Sequence, residues 1–263
     1  MIEIKNLSFQ YNKDSRLIFD NLSFSLYDNC VLSILGKNGI GKTTLIKCLI
    51  SEIKEYKGQI LINGKDVKNM SELELSKKIA IVATNNQCYQ NLTVADYLVM
   101  GFANQLTFFQ IPNKRQYEKA FLILEEVGYG HLLNRLMLEL SSGESQIVRI
   151  ARAILQEPEI IIFDEPTSNL DIKNQLVIIN QISNLVQKGY TVITTTHNPG
   201  QTIELGGKVL IMTENECVFG DVSTIISEEN LNNAYGLKVK LSDEDGRIFA
   251  TFYDENTKHR LIY

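Results

Sequence analysis

The residues Gly36-Lys37-Asn38-Gly39-Ile40-Gly41-Lys42-Thr43 match the pattern G-x-x-x-x-G-K-[ST], which is typical of a phosphate-binding loop. The glycines let the backbone curl so that consecutive N–H groups point at phosphate oxygens, and the helix that follows adds its positive N-terminal end. Lys42 supplies a charge near the outer phosphates, and the Thr43 hydroxyl can ligate Mg²⁺. The sequence therefore predicts a site for the phosphates of a nucleotide.

The residues around this loop have the pattern of a strand followed by a helix. The apolar run at 31–35 is typical of a strand buried on both faces, and apolar residues recur at helical spacing from Leu45 to Ile53. Residues 1–30 alternate between apolar and polar, which predicts antiparallel strands. Residues 157–222 alternate between strand and helix patterns, which indicates a mostly parallel sheet with crossover helices. The predicted fold class is α/β.

The middle of the chain, about residues 70–140, shows few strand signals and helical periodicity, so we predict a helical insertion there. The tail predicts one helix and a hairpin around Asp243–Gly246. We expect one domain with these subregions: antiparallel β at 1–30 and 55–70, the phosphate-binding core at 31–54 and 157–222, the helical subdomain at 85–156, and the C-terminal helix and hairpin at 223–263.

The composition excludes several classes of protein. The chain has 263 residues, 44% of them hydrophobic, and a formal net charge of −5, which argues against wholesale disorder and against nucleic-acid binding by charge alone. The sequence contains no apolar run of membrane-spanning length, and its N-terminus alternates rather than forming the apolar core of a signal peptide. The four cysteines are scattered, as in a reducing compartment. We expect a cytoplasmic protein.

A second motif, Ile160-Ile161-Ile162-Phe163-Asp164-Glu165, places two carboxylates at the end of a buried strand. Ligands collect at the carboxyl ends of strands in open α/β sheets. Asp164 can hold Mg²⁺ through water, and Glu165 can polarise the attacking water as a general base.

A third motif, Leu140-Ser141-Ser142-Gly143-Glu144, immediately precedes a predicted helix. By itself it could be a plain N-cap, or a second anion site made by backbone N–H groups at the helix start. Together with the other motifs it resembles the LSGGQ signature of the nucleotide-binding subunit of ABC transporters, and the motifs occur in that family's order along nearly the whole chain. The resemblance implies a P-loop ATPase core with a mostly parallel sheet, an N-terminal antiparallel β subdomain and a helical insertion subdomain.

The resemblance also implies roles for further residues. Tyr11 stands where the family stacks an aromatic ring on adenine, and Thr44 completes the phosphate loop. Ser168-Asn169-Leu170-Asp171 matches the loop that crosses to a partner subunit, so Asp171 joins the nucleotide-binding residues. His197 matches the switch histidine that contacts the γ-phosphate and is, with Glu165, a predicted catalytic residue.

The sequence departs from the family pattern at two places. The signature has Ser142 and Glu144 where the family has glycine and glutamine, and we expect little loss from either change. The family's coupling glutamine aligns with Thr84, whose hydroxyl could ligate Mg²⁺ or its water; Gln87 is the alternative if the loop is remodelled.

The resemblance implies partners. We expect a head-to-tail dimer in which the signature of one subunit, through Ser141 and Gly143, faces the ATP bound to the other. The dimer would act with transmembrane permease subunits at the cytoplasmic face of the membrane, and indirectly with an extracytoplasmic substrate-binding protein.

The segments KKIAIVATNNQ…LTVADYLVMGF and GDVSTIISEENLNNAYGLKV resemble importers of iron–siderophore, haem and cobalamin. An importer of iron chelates is therefore the first hypothesis, and a manganese or zinc importer or an exporter stays open. A DNA-maintenance ATPase would carry long coiled coils, and a translation factor usually carries two cassettes. A binding module without catalysis is disfavoured by Glu165 and His197.

Overall fold

The computed structural model of the protein describes residues 1–83, 91–107, 110–245, 247–253 and 260–262. The chain divides into two compact units: unit 1 comprises Met1–Asn69 with Thr191–Tyr263, and unit 2 comprises Met70–Tyr190. Among the described residues, no helix is both long and apolar enough to cross a membrane.

The first part of unit 1 contains β1 (Ile2–Phe9), β2 (Phe19–Leu26), β3 (Val31–Leu35), α1 (Lys42–Leu49), β4 (Lys57–Ile62) and β5 (Lys65–Asp66). Unit 2 contains α2 (Glu72–Lys78), β6 (Ile79–Ala83), α3 (Val94–Val99), α4 (Lys114–Glu126), α5 (Ser142–Leu155), β7 (Ile160–Asp164) and α6 (Ile172–Gln187). The second part of unit 1 contains β8 (Thr191–Thr196), α7 (Pro199–Leu205), β9 (Lys208–Met212), β10 (Cys217–Asp221), α8 (Val222–Ile225), α9 (Glu228–Tyr235), β11 (Lys238–Glu244), β12 (Arg247–Tyr253) and β13 (Arg260–Ile262).

An antiparallel sheet opens unit 1, with its strands in the order β2-β1-β4-β5. In β1, Ile2 pairs with Leu26 on one side and with Ile62 on the other, and all three side chains are buried. The alternation of buried and exposed residues along β2 is that of a sheet with one face packed on the core. This sheet is the predicted N-terminal antiparallel β region.

The phosphate-binding core of unit 1 is built around β3, which pairs in parallel with β8 on one side and β9 on the other. All of β3 is buried, as expected of a strand covered on both faces. β10 adds an antiparallel strand beside β9. The predicted α/β class with a mostly parallel sheet is therefore confirmed.

The C-terminal part of unit 1 differs from the prediction of one helix and a hairpin. The described residues contain both α8 and α9, and β13 pairs with the hairpin strand β12. α8 spans one turn, too short to leave a helical period in the sequence. Gly246, at the predicted hairpin turn, lies outside the described residues. Leu231, Val239 and Phe252 pack with β3 and β9 residues in one apolar cluster, which fixes the tail to the core.

Unit 2 combines the predicted helical insertion with a parallel pair of strands, β6 and β7, in which Ile79 pairs with Ile160 and Ala83 with Asp164. α5 packs against α3 and α4. β6 was not predicted as a strand: it has only five residues, and it directly follows a helix in a segment with helical periodicity.

Candidate functional site

The phosphate-binding loop follows β3 in unit 1, as predicted, and leads directly into α1. The Gly36 N–H donates to the carbonyl of Thr196 at the end of β8. The Lys42 ammonium donates to the Gly36 carbonyl at 2.8 Å and to the Lys37 carbonyl at 3.1 Å, and Lys42 is only 5% exposed. The charge of Lys42 is therefore held within the loop itself.

Two glycines of this loop have backbone angles that favour glycine. Gly39 has φ of 76° and Gly41 has φ of 125°. A Cβ atom on Gly41 would lie 2.2 Å from Ile18 Cγ2, so close packing also requires glycine at this position. Gly41 is the N-cap of α1 and has no side chain to accept from the first-turn N–H groups, which suits an anion at this helix start.

Tyr11 contacts the end of the phosphate loop through its hydroxyl group, which lies 2.9 Å from Thr44 Oγ1. Its ring packs edge-on against Phe9 with 5.0 Å between centroids, and the residue is 57% exposed. The structure thus ties an exposed aromatic ring to the end of the phosphate loop. Arg16, which sequence reasoning missed, donates to the Gly39 carbonyl at 3.3 Å.

His197 follows the last residue of β8, and its carbonyl accepts a hydrogen bond of 2.8 Å from the Tyr235 hydroxyl. His197 lines a cavity of about 250 Å³ together with Lys37 and Asn38 of the phosphate loop. Apolar residues, among them Phe252, also line this cavity. Unit 1 thus brings the predicted switch histidine and the phosphate loop to the same cavity.

In unit 2, the signature residues form the start of α5. Ser141 is the N-cap: its hydroxyl accepts from the Glu144 N–H, and the Glu144 carboxylate accepts from the Ser141 N–H at 2.8 Å. The hydrogen bond from the Ser141 N–H, together with one from the Ser141 hydroxyl to the carboxylate, lowers the pKa of Glu144 below its ordinary value. Ser142 and Gly143 are the first two residues of the helix.

The loop of Ser168–Asp171 contacts the signature through Asn174. Asp171 is the N-cap of α6; its carboxylate accepts from the Asn174 N–H at 2.8 Å and from Asn174 Nδ2 at 3.0 Å. A Cβ atom on Gly143 would lie 2.5 Å from Asn174 Cγ, so the amide of Asn174 occupies the space beside the signature glycine. Two predicted motifs, 28 residues apart, thereby lie together, joined by a residue that the sequence analysis did not single out.

The carboxylate motif lies where it was predicted, with Asp164 as the last residue of β7. Glu165 follows with φ of 48°, which is uncommon for a residue other than glycine. Its side chain accepts a hydrogen bond of 2.9 Å from Ser168 Oγ. Thr84 and Gln87 lie outside the described residues, so the choice between them stays open.

Arg149 of α5 was also missed by the sequence analysis. Its Nη1 donates to the Ala83 carbonyl at 2.6 Å, at the end of β6. Since Ala83 is the register partner of Asp164, this arginine anchors the strand end that adjoins the carboxylate motif. A single arginine within a helical pattern gives no sign of such a contact, because the acceptor is a backbone atom distant in sequence.

Comparison with known proteins gives a match to the family described as "ABC transporter" over residues 19–168. A Helicobacter pylori (strain 26695) ATP-binding protein named for iron chelatin transport is 33% identical over 252 residues, which cover 94% of this chain and 98% of that protein. The molybdate import ATP-binding protein MolC of Haemophilus influenzae is 31% identical over 237 residues, covering 90% of this chain and 88% of that protein.

Among solved structures, an inward-facing structure described as a metal-chelate type ABC transporter superposes with a TM-score of 0.84 at 28% identity. The match covers 100% of this chain and 97% of that chain. The similarity therefore extends over the N-terminal antiparallel sheet and the C-terminal tail as well as the shared motifs.

Proposed function

The chain belongs to the ABC transporter family, and on this premise we propose that it powers the import of iron chelates such as siderophores or haem. The family hydrolyses ATP to power transport, so the chain is an ATPase that converts ATP and water to ADP and phosphate. The observation that carries the choice of cargo is the match, over nearly the full length of both chains, to a relative named for iron chelatin transport.

The similarity to a metal-chelate type transporter covers 100% of this chain and so includes the C-terminal tail. It supports the same cargo, because the tail segment GDVSTIISEENLNNAYGLKV also resembles importers of iron–siderophore, haem and cobalamin. A second candidate is the import of an oxyanion, which the relative named for molybdate import favours. The two candidates differ in the permease and the cargo, not in the reaction of this subunit.

In the proposed reaction, residues 36–44 bind the phosphates of ATP and Tyr11 stacks on its base. Mg²⁺ in proteins is commonly held by one or two carboxylates together with substrate phosphates. The hydroxyl of Thr43 and the carboxylate of Asp164 are oxygen donors of this kind, so the residues fit the ion, which would neutralise charge on the transferred phosphoryl group. Glu165 takes a proton from the attacking water, and His197 contacts the γ-phosphate.

ATP-binding subunits of this family dimerise and act with permease subunits, as part of membrane transporter complexes. We propose a head-to-tail pair of this chain, in which Ser141 and Gly143 of one copy bind the γ-phosphate held by the other. The pair would sit at the cytoplasmic face of the membrane, with an extracytoplasmic binding protein delivering the cargo. ATP favours the closed pair and ADP does not, and this difference in affinity drives the cycle.

Uptake by the source cells tests the cargo. Cells lacking this chain are supplied with the wild-type protein or with Glu165→Gln, which should bind ATP, dimerise and turn over slowly. The wild-type protein alone should restore uptake of a radiolabelled ferric chelate. Uptake of labelled molybdate should be the same in cells supplied with the wild type and in cells supplied with Glu165→Gln. Restoration of molybdate uptake instead would favour the second candidate, and restoration of neither would overturn both.

A further inference from the structure

The C-terminal tail places one hydroxyl group against the loop that carries His197. α9 is capped at its start by Ser227 and ends at Tyr235, followed by Gly236 in the left-handed conformation with φ of 64°. Leu231 and Ala234 anchor the inner face of α9, and the Tyr235 ring packs edge-on against Phe252 with 5.1 Å between centroids. The position of the Tyr235 hydroxyl is therefore fixed by packed apolar contacts.

The Tyr235 hydroxyl donates to the His197 carbonyl at 2.8 Å. On the chain that follows, the Asn198 N–H donates to Thr196 Oγ1 at 3.0 Å, and Asn198 Oδ1 accepts from the Gly200 N–H as the cap of α7. The peptide group between His197 and Asn198 is thus held on its N–H side by β8 and on its carbonyl side by Tyr235. Fixing this peptide plane restricts ψ of His197, and so the orientation of its Cα–Cβ bond relative to the peptide.

The same turn also reaches the phosphate loop. A Cβ atom on Gly236 would lie 3.4 Å from Lys37 Nζ, so the backbone of the tail lies close to this lysine. Lys37, His197 and Tyr235 line the same cavity of about 250 Å³. One turn of the tail therefore adjoins both the residue proposed to contact the γ-phosphate and the loop proposed to bind the phosphates.

We propose that Tyr235 is a positioning residue for ATP hydrolysis. By its hydrogen bond to the His197 carbonyl, it orients the side chain of His197 for contact with the γ-phosphate. The inference rests on the role of His197 in the proposed function. ATP has a γ-phosphate and ADP has none. The loss of this positioning therefore lowers the kcat of ATP hydrolysis and leaves the affinity for ADP unchanged.

The test uses Tyr235→Phe in the full chain, assayed with its permease or at protein concentrations that support dimers. Phenylalanine keeps the ring that packs on Phe252 and removes the hydroxyl alone. The loss of one neutral hydrogen bond predicts about a fivefold lower kcat. The Kd for ADP should stay within about twofold of the wild type, as expected for an interaction that involves the γ-phosphate alone. Tyr27→Phe is the matched control, since Tyr27 is a 68% exposed tyrosine of unit 1 outside this cavity.

A second background separates positioning from mere structural support. Tyr235→Phe should lower kcat in the wild type and have no further effect on the residual turnover of His197→Ala, because the two residues act as one unit. An equal loss in both backgrounds, a weaker ADP complex, or wild-type kcat in Tyr235→Phe would each overturn the inference. Wild-type kcat in His197→Ala itself would instead overturn the role assigned to His197 in the proposed function.

Discussion

Gly143→Ala tests whether the signature glycine serves catalysis or only packing. Gly143 is buried in the first turn of α5, and an alanine there would place its Cβ atom 2.5 Å from Asn174 Cγ and 2.8 Å from Asn174 Nδ2. These atoms are the far end of a side chain that can rotate away. The rotation would break the 3.0 Å hydrogen bond to Asp171, whereas the 2.8 Å bond from the Asn174 N–H to Asp171 would remain.

The two effects on stability nearly cancel. Alanine is favoured over glycine within a helix by about 1 kcal/mol, and an exposed hydrogen bond contributes about 1 kcal/mol. The free energy of unfolding should therefore change by less than about 1 kcal/mol, which shifts Tm by less than about 4 °C in a domain of this size. Turnover should fall about a hundredfold, the loss typical when one backbone donor to a transition-state oxygen is blocked.

The assay pairs thermal unfolding with steady-state ATP turnover at a protein concentration that supports dimers. Asn174→Ala is the control, because it removes the same hydrogen bond to Asp171 without adding a methyl group at Gly143. It should shift Tm by a similar amount and keep most of the turnover. Full turnover in Gly143→Ala would refute the catalytic role of this glycine. Recovery of turnover when Gly143→Ala and Asn174→Ala are combined would show that the loss in Gly143→Ala came from displacement of the Asn174 side chain.

Two further predictions concern the capping box and the phosphate loop. The pKa of Glu144 is lowered by hydrogen bonds from Ser141, so its stabilisation is complete above the unfolded-state pKa and is lost as pH falls through the lower folded-state value. Glu144→Gln keeps an acceptor and does not titrate, so the Tm of this variant should fall less than that of the wild type as the pH is lowered from 7 to 3, a range that extends below the unfolded-state pKa of a glutamate; parallel melting curves would contradict this. Gly41→Ala should lower stability by about 2 kcal/mol or more, from backbone strain at φ of 125° and the 2.2 Å approach to Ile18, and the added change Ile18→Ala should relieve only the approach. Denaturant unfolding measures both, and an unchanged midpoint in Gly41→Ala would refute the argument.

The parts of the structure that could be predicted from sequence are those with local signatures. β3, the phosphate loop and α1 are contiguous, and their apolar run, glycines and helical spacing each reflect a local requirement of the backbone. The capping box of Ser141 and Glu144 is likewise local, since it spans four consecutive residues. The carboxylates at the end of β7 were found because a buried strand ends abruptly in two charges.

The parts that could not be predicted depend on contacts between residues distant in sequence. Tyr235 lies 38 residues from His197, and the segment that contains it served in the sequence analysis only for the resemblance to importers. Asn174 lies in the first turn of α6, where nothing in the spacing distinguishes it from a solvated amide. Such contacts leave no period in the sequence. The bond from Tyr235 to a carbonyl places no requirement on the type of residue that supplies the carbonyl, and the amide of Asn174 meets Gly143 only through the fold.

Both residues proposed to be catalytic are held through their own backbones. Glu165 has φ of 48°, a conformation that costs a residue other than glycine about 1 kcal/mol or more, so the surrounding contacts must maintain it. Ser168 supplies two of them, a hydrogen bond from its N–H to the Glu165 carbonyl at 3.1 Å and one from its hydroxyl to the carboxylate at 2.9 Å. A carboxylate offers about four lone-pair positions, so the bond from Ser168 fixes the side chain without by itself exhausting its capacity to accept a proton. In the proposed reaction, the contacts that hold Glu165 at φ of 48° and the hydrogen bond from Tyr235 to the His197 carbonyl would have the same consequence. Each would restrict its residue before ATP binds, so that less ordering would remain for the transition state.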